Sequence, residues 1–283
     1  MSAIAGIYHL DRRPARDEVI GAMLDALSGR APDGVRRWRH GSVGLGHGRL
    51  AVTAEADGLA RDPRRGLVTV ADARLDNREQ LARRLQTAGI PSDSELILRA
   101  YERWGAASPR QLLGDFVFAL WDPARRLLLC ARDPIGVKPL YYYRDRRVFA
   151  FASEIKGLLA FDEVPRRLDE RKVAQHLTRR FDDTVSTFYR GIRRLPPAHT
   201  MVADADGRGR PRRYWSLDPT RELSFPSDRE LAGALRERLE QAVRDRLRSA
   251  HPVGALLSGG LDSSTVVCLA REALGHRPAL HTF

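Results

Sequence analysis

The residues best suited to chemistry lie near the carboxyl end of the chain, in the run Gly254-Ala255-Leu256-Leu257-Ser258-Gly259-Gly260-Leu261-Asp262-Ser263-Ser264. Its apolar start predicts a buried strand, and the two successive glycines allow backbone N–H groups to curl around an anion. The serines add hydroxyl donors, and the residues that follow predict a helix whose N-terminus faces the same place. The run therefore predicts a strand, a phosphate-binding turn and a helix.

Asp262 suggests which phosphate compound would bind. A carboxylate beside phosphates is repelled unless it accepts local backbone N–H groups or holds a divalent cation. We therefore predict ATP with Mg²⁺ as the ligand. The lysine that precedes Ser or Thr in kinase-type phosphate loops is absent. A plain Gly-Ser turn between a strand and a helix is the structural alternative.

The string SGGLDSS at 258–264 resembles the pyrophosphatase loop of enzymes that split ATP between its α and β phosphates, such as asparagine, GMP and argininosuccinate synthetases and tRNA thiolases. The resemblance implies activation of a carboxylate or carbonyl as an adenylate. It also implies that Ser258, Gly259, Gly260, Asp262, Ser263 and Ser264 bind pyrophosphate, with Asp262 handling the magnesium, and that Leu261 belongs to the same cofactor-binding loop. Leu256, Leu257 and Phe283 would flank the nucleoside.

Short motifs spread over the first 200 residues resemble, in order, the amidotransferase half of the glutamine-hydrolysing asparagine synthetase family. They are Ile4-Ala5-Gly6-Ile7-Tyr8, Arg30-Ala31-Pro32-Asp33-Gly34, His47-Gly48-Arg49-Leu50-Ala51-Val52, Leu113–Asp122, Arg132–Tyr142, Ala152–Lys156 and Gly191–Pro197. The resemblance implies an α+β sandwich of the N-terminal-nucleophile type (αββα), followed by the start of an α/β doubly wound ATP-pyrophosphatase domain. GMP synthetases and thiolases lack such a front half.

The family's glutaminase nucleophile is a cysteine directly after the initiator Met, and here that position is Ser2. Removal of Met1 would still expose a hydroxyl and an amine. Where the family has Asn-Gly-Glu, this chain has Asp72-Ala73-Arg74. Asp72 would put negative charge where an oxyanion develops, and losing one such donor costs roughly 3 kcal/mol in a characterised hydrolase. Arg74 would repel the α-ammonium of glutamine, so we predict that Ser2 is inactive.

Two other residues, Arg49 and Asp93, match positions that grip glutamine in the family, so a remnant of the pocket is expected. If ammonia is not produced, the activated carboxylate must react with another amine. The β-lactam synthetases and the macrolactam cyclases of lasso peptides share an intact ATP loop and a lost cysteine. The start of the chain, the run 73–79 and the end at 280–283 resemble the lasso branch most. Two alternatives stay open: an asparagine synthetase, and a truncated, non-catalytic interaction protein.

Composition narrows the class of partner. The 283 residues include 48 Lys and Arg against 36 Asp and Glu, a net charge of +12. Nearly all the positive residues are scattered arginines without interleaved aromatics, which argues against nucleic acid and is compatible with an acidic peptide. The two cysteines, Cys130 and Cys268, are too few for a disulfide frame or zinc site and are predicted core residues. No signal peptide or membrane-length apolar run is found, so we expect a cytoplasmic protein.

The resemblance implies a glutaminase-like domain at 1–202 and an ATP-binding segment at 227–283. The residues between them, 203–226, are rich in Asp, Gly, Pro and Arg and predict a linker with a short Tyr214-Trp215 strand. The predicted elements include a strand at 67–71, a helix at 78–88, a helix from the capping box at Ser92 to Trp104, two hairpins within 116–131 and 141–151, and a second capped helix from Ser227. The apolar stripe of that last helix, Leu231 to Leu247, is predicted core.

The final residues 281–283 are predicted as the second strand of the ATP-binding sheet. A doubly wound domain needs several βα units to bury its parallel strands. We therefore expect a truncated synthetase segment that a downstream chain would complete. The substrate is expected to be a small-molecule or peptide carboxylate.

Overall fold

The computed structural model describes residues 1–55, 57–204, 209–275 and 280–283. The chain forms two compact units: residues 1–50 with 55–216, and residues 51–54 with 217–283. No helix in the described ranges is long and apolar enough to cross a membrane.

The first unit contains two six-stranded sheets in which every neighbouring pair is antiparallel. One sheet has the order β10-β8-β9-β1-β3-β2, and the other β12-β11-β7-β6-β5-β4. The strands are β1 (Ala3–His9), β2 (Val35–His40), β3 (Val43–Gly48), β4 (Leu59–Asp62), β5 (Leu67–Leu75), β6 (Gly114–Asp122), β7 (Leu127–Arg132), β8 (Tyr141–Arg144), β9 (Val148–Ala152), β10 (Ile192–Arg194), β11 (His199–Asp204) and β12 (Arg212–Arg213).

Helices cover the outer faces of both sheets. The helices of the first unit are α1 (Asp17–Asp25), α2 (Arg78–Leu85), α3 (Asp93–Trp104), α4 (Ile155–Leu159) and α5 (Glu170–Leu177), with 3₁₀ turns at Ser28–Arg30 and Gly105–Gln111. Apolar residues of α1 and α4 pack on the β1 sheet, and those of α2 and α3 pack on the β6 sheet. This is the αββα sandwich that the sequence predicts.

Strand β6 shows how alternation builds the layers. Val117, Ala119 and Trp121 point into the core between the two sheets. Phe116, Phe118 and Leu120 point to the other face and pack beneath α3. Successive strand residues face opposite sides, so a strand buried on both faces must be apolar at nearly every position, as residues 116–121 are.

Both hairpins and both helix caps are confirmed. β6 pairs with β7, and β8 pairs with β9. The Ser92 hydroxyl accepts from the Glu95 N–H at 3.3 Å, and Ser227 accepts from Glu230 N–H at the same distance. A side-chain acceptor at this position satisfies a backbone donor that the first helical turn leaves free.

The boundaries of three predicted elements are corrected. β5 continues to Leu75, because its register with β6 extends through Leu75 opposite Gly114. α2 ends at Leu85, where Gln86 adopts a left-handed conformation with φ 55°. The short strand predicted at Tyr214-Trp215 lies at Arg212–Arg213, where it pairs with His199 and Thr200.

The second unit contains α6 (Asp228–Arg246), β13 (Gly254–Ala255), α7 (Leu261–Leu274) and β14 (His281–Thr282). β13 and β14 pair in parallel, as in the first unit of a doubly wound sheet. Its buried cluster consists of Val243, Leu269 and Ala270, with Leu239, Leu247 and Leu280 packed against it.

Several residues of the second unit predicted to be core are exposed. Leu231 and Leu235 in α6 are 47% and 60% exposed, so only the carboxyl half of its apolar stripe is packed. The predicted buried strand ends at Ala255, and Leu256 is 82% exposed. Cys268 is exposed, whereas Cys130 is buried in β7 as predicted. Among the described residues, β13 has one neighbouring strand, which leaves little apolar surface to cover these side chains.

Candidate functional site

The first candidate site lies at the start of β1, in the centre of its sheet. The Ser2 hydroxyl oxygen accepts a hydrogen bond from the Leu50 N–H at 3.1 Å. Arg30 donates to the Ser2 carbonyl at 3.5 Å and also forms an ion pair with Glu154. Ser2 is thereby held between β1 and the segment that follows β3.

Asp72 and Lys138 form a buried ion pair in the same unit. Asp72 lies within β5 and is 4% exposed, and the Lys138 ammonium lies 2.9 Å from its Oδ1. Three consecutive backbone N–H groups, of Gly136, Val137 and Lys138, donate to the Asp133 carboxylate, which fixes the loop that carries the lysine. The second carboxylate oxygen of Asp72 is buried and has no hydrogen-bond partner among the described residues.

The charges of Asp72 and Lys138 affect the pKa of the N-terminal amine of Met1. Burial lowers the pKa of the amine below its ordinary value. The Asp72 carboxylate opposes that shift, while Lys138 and Arg30 add to it. The amino terminus, Asp72 and Lys138 therefore share one electrostatic environment.

The two predicted grips on glutamine differ in their surroundings. The Nε of Arg49 is buried without a hydrogen-bond partner in the described part of the chain. Asp93, the first residue of α3, lies 2.8 Å from the Arg78 guanidinium and accepts from the Leu75 N–H at 3.3 Å. Arg78 is 8% exposed, so the Asp93 carboxylate already has a buried cation beside it.

Ala73 and Arg74 lie on β5 next to Asp72. Their partners across the ladder are Phe116 and Asp115. Opposite charges directly across an antiparallel pair attract, so Arg74 stands in a favourable place on the strand. Its predicted effect on a bound ammonium stays a prediction.

The second candidate site is the 256–264 loop of the second unit. Gly260 caps the N-terminus of α7, and Gly259 has a φ of 81°, a conformation that side chains other than glycine rarely adopt. The Ser258 and Ser263 hydroxyl oxygens lie 3.0 Å apart. Asp262 is exposed in the first turn of α7.

This loop fits a phosphate-bearing ligand. An added Cβ on Gly259 would meet no atom within 4 Å, so the space in front of the turn is open. Free N–H groups at the start of α7 and the serine hydroxyls are donors suited to phosphate oxygens. Leu257 and Phe283 lie beside each other, because the Leu257 N–H donates to the Phe283 carbonyl at 2.9 Å. Phe283 is 80% exposed, so its ring is accessible for stacking against a planar group such as a nucleobase.

Comparison with known families decides the lineage. A model described as a glutamine amidotransferase domain matches residues 1–215, and one described as asparagine synthase matches residues 234–283. The chain belongs to the asparagine synthetase family. Among its curated relatives, asparagine synthetase [glutamine-hydrolyzing] 3 of Bacillus subtilis is 34% identical over 278 residues, which are 94% of this chain and 45% of the relative.

A second relative of this asparagine synthetase family member carries a different name. The amidase chyE of Penicillium rubens is 32% identical over 89% of this chain and 38% of its own length. The chain therefore spans about half the length, or less, of these relatives. Glutamine phosphoribosylpyrophosphate amidotransferase from B. subtilis superimposes with a TM-score of 0.56 at 16% identity, over 99% of this chain and 65% of that one, which establishes the shared fold.

Sequence reasoning missed two residues of the first site in this family member. Lys138 belongs to the 132–142 motif, and nothing in the sequence pairs it with Asp72, although a buried carboxylate requires a cation nearby. Arg78 lies within the 73–79 run, where the sequence predicts the start of a helix. An arginine in the first turn of an otherwise amphipathic helix carries no signal that it will be buried.

Proposed function

We propose that this chain serves an ATP-dependent ligase that activates a carboxylate as an acyl-adenylate and joins it to an amine of its substrate. The observation that carries the proposal is the buried Asp72–Lys138 pair in the unit that holds Ser2. It stands at the position where the resembling glutaminases have an amide donor. Hydrolysis of glutamine is therefore disfavoured, and the amine must come from elsewhere.

The electrostatic reason is the charge that develops during hydrolysis. A tetrahedral oxyanion needs donors aimed at it, and loss of one costs about 10²–10³ in kcat. Asp72 offers an acceptor oxygen there, and its ion pair occupies the Lys138 ammonium. Lys138 therefore cannot readily replace the missing amide.

The ATP chemistry would fall to the loop at the start of α7. ATP supplies an α-phosphorus that the carboxylate attacks with release of pyrophosphate, after which the amine displaces AMP. The hydroxyls of Ser258, Ser263 and Ser264, with the backbone of Gly259 and Gly260, would bind the departing pyrophosphate. Asp262 would hold the Mg²⁺. Leu256, Leu257, Leu261 and Phe283 would line the nucleoside side.

For the substrate we propose a peptide carboxylate that is closed into a macrolactam. The support is the resemblance of the 73–79 run and of both chain ends to the lasso-peptide branch. The remaining βα units of the synthetase would come from a further segment or a second chain.

A second candidate is synthesis of asparagine from aspartate. The relative's name, asparagine synthetase, and the presence of Arg49 and Asp93 favour it. A third is a non-catalytic interaction protein, because the matched part of the asparagine synthase model is short.

The deciding experiment measures pyrophosphate release from ATP by the longest product of the gene, with any separately encoded synthetase segment added. Aspartate with ammonia or glutamine is compared with a precursor peptide encoded nearby. We expect pyrophosphate release only when the peptide is the substrate, and a peptide product whose mass is lower than that of the substrate by one water. Turnover with aspartate would favour asparagine synthesis, and none with any substrate would favour the interaction protein. Asp262→Ala should abolish turnover without unfolding the chain.

The glutaminase site is tested by rebuilding it. Ser2→Cys alone should release no glutamate from glutamine. Ser2→Cys with Asp72→Asn and Arg74→Glu should gain measurable hydrolysis, because the donor and the anionic grip are both restored. Hydrolysis by the single variant would refute the role we assign to Asp72.

A further inference from the structure

Two cavities adjoin on the outer side of α3 in the first unit. One has a volume of about 700 Å³ and the other about 490 Å³. Glu95 and Arg99 line both. Together they form one groove, which we call the α3 groove.

The acidic residues at one end of the α3 groove are already compensated. Arg99 lies 3.4 Å from Glu95 and 3.6 Å from Glu102. Asp62 accepts from the Arg64 N–H at 2.8 Å. A hydrogen bond with Glu102 lowers the pKa of Asp62, and burial raises the pKa of Glu102.

Three further arginines lie at that end of the α3 groove, and the charge of one of them, Arg65, acts on both Asp62 and Glu102. Arg61 is an exposed residue of β4, Arg64 and Arg65 are exposed residues of the turn between β4 and β5, and all three line the larger cavity. None of the three forms an ion pair within the part of the chain that the structure describes. The larger cavity is therefore lined by four arginines and three carboxylates, an excess of one positive charge.

The other end of the α3 groove carries apolar side chains beside the polar Gln86 and Thr87. Leu85, Ala88, Ile90 and Pro91 line the smaller cavity, and Ile90 is 47% exposed. None of the described lining residues of either cavity is aromatic. Nucleic-acid bases would find no ring to stack on, and a second copy of this chain, at +12, would be repelled.

We propose that the α3 groove binds an acidic segment of the peptide substrate, with its carboxylates against Arg61, Arg64 and Arg65 and its apolar side chains against the Leu85–Pro91 end. This inference rests on the proposed function, because it takes the ligand to be the peptide that the ligase closes. It adds a binding site for that peptide built from residues other than Ser2 and those of the α7 loop.

The test is direct binding to the 283-residue chain without ATP. The probe is a fluorescein-labelled peptide with a block of glutamates followed by a block of leucines, measured by anisotropy. We expect the Arg61→Gln, Arg64→Gln, Arg65→Gln triple variant to bind about tenfold more weakly or worse, because it removes the charge complementarity. The matched control is Arg39→Gln, Arg146→Gln, Arg147→Gln, which removes equal charge from exposed sites elsewhere and should bind normally.

Three results would overturn the proposal. They are no binding by the unaltered chain, equal loss in both triple variants, and tighter binding of a single-stranded oligonucleotide than of the peptide. Ile90→Ser supplies a second check, because it should weaken binding of the glutamate–leucine peptide but not binding of a polyglutamate of the same length. This binding assay contains no ATP, so it is independent of the pyrophosphate assay. Loss of peptide binding with intact pyrophosphate release would refute only the role of the groove. Intact peptide binding without pyrophosphate release would refute the ligase function.

Discussion

At the scale of single residues, the Asp72–Lys138 pair shows how a carboxylate at a buried position is stabilised by a lysine from a distant part of the chain. A buried carboxylate without a cation costs several kcal/mol, and removing one partner of a buried pair typically costs about 3–5 kcal/mol. Lys138 lies in a loop held by Asp133, so the cation is already in place. The pair can therefore persist in the core as a structural feature, and under the proposed function it would oppose glutamine hydrolysis.

A second buried residue, His47, makes stability depend on pH. It lies in β3 at 2% exposure, and burial lowers its pKa to about 4. An unfolded histidine has a pKa near 6.5, so between pH 6.5 and 4 the unfolded state binds more protons. Above pH 6.5, His47 is neutral in both states and does not make the free energy of unfolding depend on pH. As the pH falls from 6.5 to 4, the free energy of unfolding decreases by up to about 3 kcal/mol.

We predict that His47→Leu removes this part of the acid sensitivity. The measurement is urea unfolding followed by tryptophan fluorescence at several pH values, because all four tryptophans lie in the first unit. The difference in stability between the unaltered chain and His47→Leu should change between pH 6.5 and 4. The exposed His40→Leu serves as control, and a difference that stays constant with pH would contradict the prediction.

At the scale of elements, the glycines of β3 are there for packing. Residues 44–48 resemble a dinucleotide-binding fingerprint only superficially, as the absence of a following helix pattern indicates. In the structure α1 crosses this strand closely. A Cβ on Gly46 would lie 2.7 Å from Leu24 Cδ1 and 2.9 Å from Ile20 Cγ2.

We predict that Gly46→Ala destabilises the first unit by about 1–3 kcal/mol, the usual cost of overpacking a tight core. Gly29→Ala is the control, because a Cβ there meets no atom within 4 Å. Urea midpoints read by tryptophan fluorescence compare the two. Equal midpoints would mean that α1 can move away from β3 at no cost.

At the scale of the whole molecule, the two units differ in how much apolar surface they bury. Strand β6 is covered on both faces, whereas the described cluster of the second unit has three buried residues, Val243, Leu269 and Ala270. Segments with few buried apolar contacts open more easily. The exposure of Leu231 and Leu235 in α6 also indicates that the second unit buries little apolar surface.

We predict that native-state hydrogen exchange is at least about 100-fold faster for mid-helix amides of α6 and α7 than for those of β6, a gap of about 3 kcal/mol. Mass spectrometry of peptic fragments measures it. Equal protection would show that the second unit is as stable as the first. A synthetase segment that completes its sheet should slow the exchange of α7.

The sequence by itself determined the αββα class, the order of the motifs, both hairpins and the two helix caps, because each depends on local alternation, capping residues or a family pattern. It also predicts the phosphate-type loop, and the family resemblance points to Asp72-Ala73-Arg74 where the family has Asn-Gly-Glu. These signals lie within a few neighbouring positions of the chain.

Only the tertiary structure decided the partners that come from distant positions. Lys138 reaches Asp72 across 66 positions, and the α3 groove joins the β4–β5 hairpin to α3 and the end of α2. Burial of Arg78 and exposure of Leu256, Cys268 and Leu235 depend on which elements cover them. Periodicity tells which face of an element is apolar, but whether that face is covered depends on the packing of segments far apart in the sequence.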